Sequence, residues 1–151
     1  MKKTINLFVT ILLCGIGFGI DGCKKTPEKN LAPTISFVKI TPVSSIEFQE
    51  KISITIGYDD VDGDLGQNDP AATNLWVTDS RNQAIANFRI QRLSPDDGKT
   101  YHLRGELTIE IPFVAIVGST DTEAITYSIY MYDRAGNSSN TVTTSSITVR
   151  R

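Results

Sequence analysis

From Thr34 onward, apolar residues recur at every second position, not at every third or fourth. Ile52, Ile54, Ile56 and Tyr58 alternate with Ser53, Thr55 and Gly57. Leu103, Leu107, Ile109 and Ile111 alternate with His102, Arg104, Glu106, Thr108 and Glu110, and Ile125, Tyr127, Ile129 and Met131 alternate with Thr126, Ser128, Tyr130 and Tyr132. A strand sends successive side chains to opposite faces, so each run predicts a strand with one buried face. With the remaining apolar runs the pattern predicts seven strands, over 34–41, 50–58, 74–78, 85–93, 101–112, 124–132 and 140–150. Turn-forming residues crowd 59–70, 79–83, 94–99 and 133–139. No stretch of this region carries a helical period, and no internal repeat stands out. Short strands at this spacing predict an all-β, two-sheet Greek-key sandwich, with a closed barrel as the alternative.

The first 22 residues follow a different pattern. Lys2 and Lys3 precede an apolar run ending in Gly15-Ile16-Gly17-Phe18-Gly19-Ile20, the layout of a secretory signal. Ile20-Asp21-Gly22-Cys23 resembles a lipobox, with an aliphatic residue three before the cysteine and a small one immediately before it. Asp21 departs from the usual residue at its position, and Cys14 fits less well because Leu13 is not small. The expected organisation is a lipoprotein signal peptide over 1–22, a lipidated Cys23 opening a tether over 23–33, and one domain over 34–151. An uncleaved anchor and a secreted protein with a free thiol are the alternatives. The tether, polar and with two prolines, would reach about 20–30 Å.

Composition gains meaning once the chain is divided. The 151 residues carry 15 Lys+Arg and 17 Asp+Glu, and this near-neutral total gives no reason to expect nucleic acid, which would call for a basic face. Without Lys2, Lys3 and Asp21 the balance becomes 13 basic to 16 acidic residues, and no cysteine remains beyond Cys23. The domain must therefore hold together by packing, and by metal if one binds, without disulfides. One His excludes a His-rich metal centre.

Five of those carboxylates (Asp59, Asp60, Asp62, Asp64 and Asp69) fall within eleven residues. Packed together without a cation they would repel one another. Asp60, Asp62 and Asp64 alternate around Gly63 and Gly66, and such a loop can wrap oxygen ligands around Ca²⁺. It is not an EF-hand: Leu65 stands where that loop needs Gly, and Ala71 where it needs Glu. A second loop, Asp133-Arg134-Ala135-Gly136-Asn137, suits a turn needing positive φ at Gly136.

In immunoglobulin-like (Ig-like) domains, the loop after the second strand and the loop between the last two strands lie at the same end. By that likeness, Asp133 or Asn137 would complete a Ca²⁺ shell begun by Asp60, Asp62 and Asp64. The other reading is a purely hydrogen-bonded pair of turns, with Arg134 neutralising the acids. Trp76, on the predicted third strand, is expected in the core as in Ig-like domains, with Tyr127 a candidate tyrosine corner. The strand pattern, the Asp-x-Asp-Gly-Asp-Leu-Gly loop, the 77–81 segment and the Asp-Arg-Ala-Gly-Asn turn together resemble uncharacterised Bacteroidota lipoproteins with one Ig-like domain. The resemblance implies an envelope location and carries no reaction. Lys24-Lys25 after Cys23, in place of an acidic cluster, suggests the periplasmic side of the outer membrane, with surface exposure left open.

The expected function is a lipid-anchored interaction or structural module whose loop end meets another envelope protein. A glycan-binding lipoprotein using Trp76, Tyr101, Tyr130 or Tyr132 is the alternative. A hydrolase is the least favoured reading. No catalytic pattern frames His102, Ser94 or Asp96, and Glu106 and Glu110 read as ordinary solvated strand residues.

Overall fold

The computed structural model describes residues 31–151. Cys23, the signal segment and most of the tether lie outside them. The described chain is all-β, with ten strands: β1 (Thr34–Thr41), β2 (Ser44–Ile46), β3 (Ile52–Asp60), β4 (Leu75–Asp79), β5 (Ile85–Phe88), β6 (Leu103–Ile111), β7 (Thr122–Ile125), β8 (Tyr127–Met131), β9 (Val142–Thr143) and β10 (Ile147–Arg150). They form three sheets, ordered β1-β3-β6, β2-β10-β7 and β5-β4-β8-β9. All pairs are antiparallel except β2 with β10, which run parallel.

One core joins the sheets, an arrangement consistent with a β-sandwich. Ile52, Ile54 and Ile56 of β3 are fully buried, as are Ile129 and Met131 of β8. Ile109 of β6, Leu75 and Val77 of β4, and Ile147 and Val149 of β10 join the same cluster. Burying each such side chain contributes roughly 1.5–3 kcal/mol, which makes this interior the main source of stability.

The structure redraws several expected strands. The strand expected over 124–132 is two strands that meet at Thr126. There Ser80 donates its amide to the Thr126 carbonyl (3.1 Å) and accepts the Thr126 amide on its hydroxyl (3.1 Å). The last expected strand divides similarly, and Thr144 at the break exchanges hydrogen bonds with the Tyr127 backbone. These two breaks let one stretch of chain serve two sheets. The strand expected over 85–93 stops at Phe88, because Ile90 gives its amide to the Asn74 side chain (2.7 Å) and its carbonyl to the Gln67 amide (3.0 Å). The short β2 was not predicted.

Trp76 is not in the core. Leu75 and Val77 occupy the inner face of β4, so Trp76 between them faces outward, half-buried. It stacks on Tyr130, its cross-strand partner, at 5.4 Å between ring centroids, with Tyr132 edge-on at 5.2 Å. Tyr127 is buried, but its hydroxyl has no hydrogen-bond partner among the described residues, so it makes no tyrosine-corner bond there.

The register gives the molecule two distinct ends. Thr34 opposes Asp59, which opposes Arg104, so the start of β1 lies at the end that bears the Asp-rich loop. Ile52 opposes Ile111, so the 42–51 and 112–121 segments lie at the opposite end.

Candidate metal site

Asp60 is the last residue of β3 and is fully buried. A buried carboxylate needs partners, and one of its oxygens, Oδ2, accepts the Leu65 amide at 2.8 Å. That bond turns the chain back, and the loop is pinned by the wholly buried Leu65 side chain. Gly63 (φ +75°) and Gly66 (φ +77°) permit the turn. A Cβ at either would run into the backbone carbonyl of Tyr101 or Gln91, so both conformation and space demand glycine.

Asp64 spends one oxygen in the same way, its Oδ2 accepting the Ala135 amide at 3.0 Å. The Asp64 carbonyl accepts the Arg134 amide at 3.3 Å, so the two loops expected at one end do meet. Arg134 points its guanidinium at backbone, donating to the Gly66 carbonyl at 2.7 Å. No ion pair among the described residues engages Asp60, Asp62 or Asp64.

What remains is three buried oxygens with no hydrogen-bond partner among the described residues: Oδ1 of Asp60, of Asp62 and of Asp64. One ligand atom from each of these residues lies within 4.8 Å of the others, so the cluster could hold a metal ion. Ca²⁺ binds oxygens at 2.3–2.6 Å, so ligands across its shell stand about 5 Å apart, and this spacing fits.

The electrostatics agree with the geometry. Burial, then the neighbouring Asp62 carboxylate and the Asp64 charge, push the Asp60 carboxyl up to about 6, against the pull of the Leu65 amide. Asp64 is raised by burial first, then by the charges of Asp133 and Asp62. Facing inward without a cation, Asp60 and Asp64 hold their protons more tightly than usual, and a cation competes for the same oxygens.

Asp133 and Asn137 sit at this end but bond to each other. Asp133 Oδ1 accepts the Asn137 amide at 2.7 Å, and Oδ2 accepts the Asn137 side-chain nitrogen at 2.8 Å. Asp133 lies near enough to raise Asp64, yet it is outside the converging group. Sequence reasoning missed Asn74, which is buried and braces the loop by joining Ile90 to the start of β4; a polar residue opening an expected strand was its only signal in the sequence.

The other candidates of the sequence lie apart. His102 donates through Nε2 to Asp59 Oδ1 at 2.6 Å, and Arg104 Nε pairs with Asp59 Oδ2 at 2.7 Å, on an exposed edge with no Ser or Cys in the bonds of His102. The His102 hydrogen bond holds the Asp59 carboxyl below its ordinary value. Glu106 is exposed, and Glu110 pairs with Lys51 at 2.6 Å. Tyr101 donates its hydroxyl to Asp97 at 2.7 Å. No family model, curated protein or solved structure matches the chain.

Proposed function

We propose that this chain is a lipid-anchored envelope module, an Ig-like sandwich whose Asp60-Asp62-Asp64 loop binds Ca²⁺ as a structural ion. The observation that carries the reading is the set of three buried, unpartnered carboxylate oxygens converging at one end. Each of Asp60 and Asp64 folds the loop with one oxygen and offers the other, a division of labour a hydrogen-bonded turn does not require. Ca²⁺, which accepts oxygen ligands in flexible geometry, suits a loop that converges three carboxylate oxygens. The sheet orders β1-β3-β6 and β5-β4-β8-β9, with β2 parallel to β10, support the Ig-like reading. The lipobox-like segment ending at Cys23 supports the anchor. The module's role is to hold a rigid surface off the membrane for another envelope protein.

The test is thermal unfolding with and without Ca²⁺. At 100 times its dissociation constant the ion adds about 2.7 kcal/mol, a rise on the order of 10 °C for a domain of this size. The gain should vanish in Asp62→Ala and Asp64→Ala. No rise at millimolar Ca²⁺ would overturn the ion.

A second reading, glycan binding, draws on Trp76 standing on the outer face beside Tyr130 and Tyr132. These rings cover one another's faces and do not lie in a coplanar row. A soluble glycan that shifts the emission of Trp76, the sole tryptophan, would favour it.

A further inference from the structure

At the end away from the Asp-rich loop the sandwich is open on one side. β5 and β6 are edge strands of different sheets, and among the described residues no strand pairs with the free edge of either. Ala86 opposes the buried Val77 and so faces inward, yet it is exposed. The opening is a cavity of about 290 Å³. Four of the exposed large apolar side chains of the described residues stand around it: Phe48 (64% exposed), Ile85 (59%), Phe113 (58%) and Val117 (49%). Phe48 is held there at φ +61°, a region an aromatic residue rarely adopts, with its amide on the Val114 carbonyl at 3.0 Å and its ring 5.9 Å from that of Phe113. Backbone strain of this kind persists where the surroundings over-determine it, and it clusters at ligand sites.

The polar groups of the cavity are few and specific. Asp79 and Tyr127 oppose each other on the inner faces of β4 and β8, where the core would otherwise continue. Arg81 bonds Asp79 at 2.7 Å and Glu123 at 2.5 Å. Every oxygen of those two carboxylates accepts at least one bond, from Arg81 or from the amides of Val117 and Gly118. Tyr127, 3% exposed, lines the cavity with the one hydroxyl there that has no partner among the described residues. Burial and the Asp79 charge push that hydroxyl up to about 12, so it stays protonated and donates.

We propose that this cavity binds a small neutral apolar molecule, with the rings of Phe48 and Phe113 enclosing its body and the Tyr127 hydroxyl donating to a single acceptor on it. Apolar walls with one or two placed polar groups are what ligand sites present. The charges select for neutrality. Two carboxylates against one guanidinium repel an anion, and a cation finds the carboxylate oxygens already occupied.

Three probes of one shape test the site: 2-naphthylmethanol, 2-naphthoate and 2-naphthylmethylammonium, titrated into the full chain by calorimetry and by ligand-observed NMR. The alcohol should bind saturably at one site, with naphthoate about tenfold weaker or more. Ala86→Trp should fill the cavity and abolish binding. Tyr127→Phe should weaken the alcohol about threefold to tenfold without lowering the melting temperature. Should Ala86→Trp fail to fold, Phe48→Gly removes the rim ring while easing the backbone, and it should weaken binding several-fold in a folded protein. No saturable binding, equal binding of naphthoate, or affinity unchanged in the folded variants would overturn the site. Self-association that excludes the alcohol would assign this face to a second copy and overturn it equally.

Discussion

Asp60 carries two opposed demands on one carboxylate. Oδ2 must be an acceptor for the Leu65 amide, while Oδ1 faces Asp62 and Asp64 with nothing to neutralise it. Its carboxyl, raised from 3.8 to about 6, makes the cost of that arrangement depend on pH. The folded state holds this proton between about pH 4 and pH 6, where the unfolded chain has released it. The folded state thus binds more protons, and metal-free stability falls as pH rises through this window, by on the order of 3 kcal/mol. Above about pH 6 the loss is complete, and there Ca²⁺ has most to restore. Chemical denaturation in chelator at pH 4.5 and pH 7 should therefore show the metal-free protein more stable at the lower value, with the order reversed or levelled by Ca²⁺. Asp60→Asn keeps the shape and removes the charge. It should flatten the pH response and raise metal-free stability at pH 7, while abolishing the Ca²⁺ effect. A variant that stays as pH-sensitive as the parent would remove Asp60 from this role.

The same logic extends to the elements that present the loop. Asn74 joins β4 to the 88–93 segment, its side chain taking the Ile90 amide and its amide binding the Phe88 carbonyl, while its carbonyl takes the Tyr132 amide beyond β8. Asn74→Ala leaves the buried Ile90 amide unsatisfied, at a cost of about 1–3 kcal/mol. Hydrogen exchange should quicken first at Ile90 and Leu65, and Ca²⁺ affinity should fall although no proposed ligand changed; protection unaltered at both amides would show the brace to be dispensable. This clamp also marks where sequence reading stopped. Alternation of Ile52-Ile54-Ile56 and Tyr127-Ile129-Met131 was enough to predict β3 and β8, because a strand's faces follow from its own residues. The end of β5 and the breaks at Thr126 and Thr144 depend on side chains of Asn74, Ser80 and Thr144 that reach backbone groups distant in sequence. Periodicity carries no trace of such bonds. Trp76 was misplaced for a related reason: in Leu75-Trp76-Val77 all three residues are apolar, and only the register with Ile129 and Met131 decides which two face inward. At the site, Asp60, Asp62 and Asp64 were legible from their alternation. The pairing of Asp133 with Asn137 was not, since an Asp that ligates and one that closes a turn look alike in sequence.

At the scale of the molecule, the two sites occupy opposite ends, and the entry of the chain distinguishes them. β1 begins at Thr34 beside Asp59, and the Ile35 amide binds the Asn140 side chain at 2.8 Å, which fixes the entry point to the second loop of the metal end. If Cys23 carries the lipid, its tether of about 20–30 Å leads to this end. The metal end then faces the bilayer, and the cavity ringed by Phe48 and Phe113 faces away. This orientation alters the expected division of roles. On that reading the Asp-rich loop would stiffen the point of attachment, and the open, apolar end would be the one presented to other molecules. A dye at Asn68→Cys, in the metal-end loop, and one at Ser119→Cys, in the far-end loop, report the orientation on vesicles that carry a quencher in the headgroup layer. Both positions are exposed, so neither label disturbs packing. The dye at position 68 should be quenched more strongly, and removing Ca²⁺ should narrow the difference by loosening the loop that bears it. Equal quenching at both positions in the presence of Ca²⁺ would mean that the tether does not orient the domain, and stronger quenching at 119 would place the apolar cavity against the membrane.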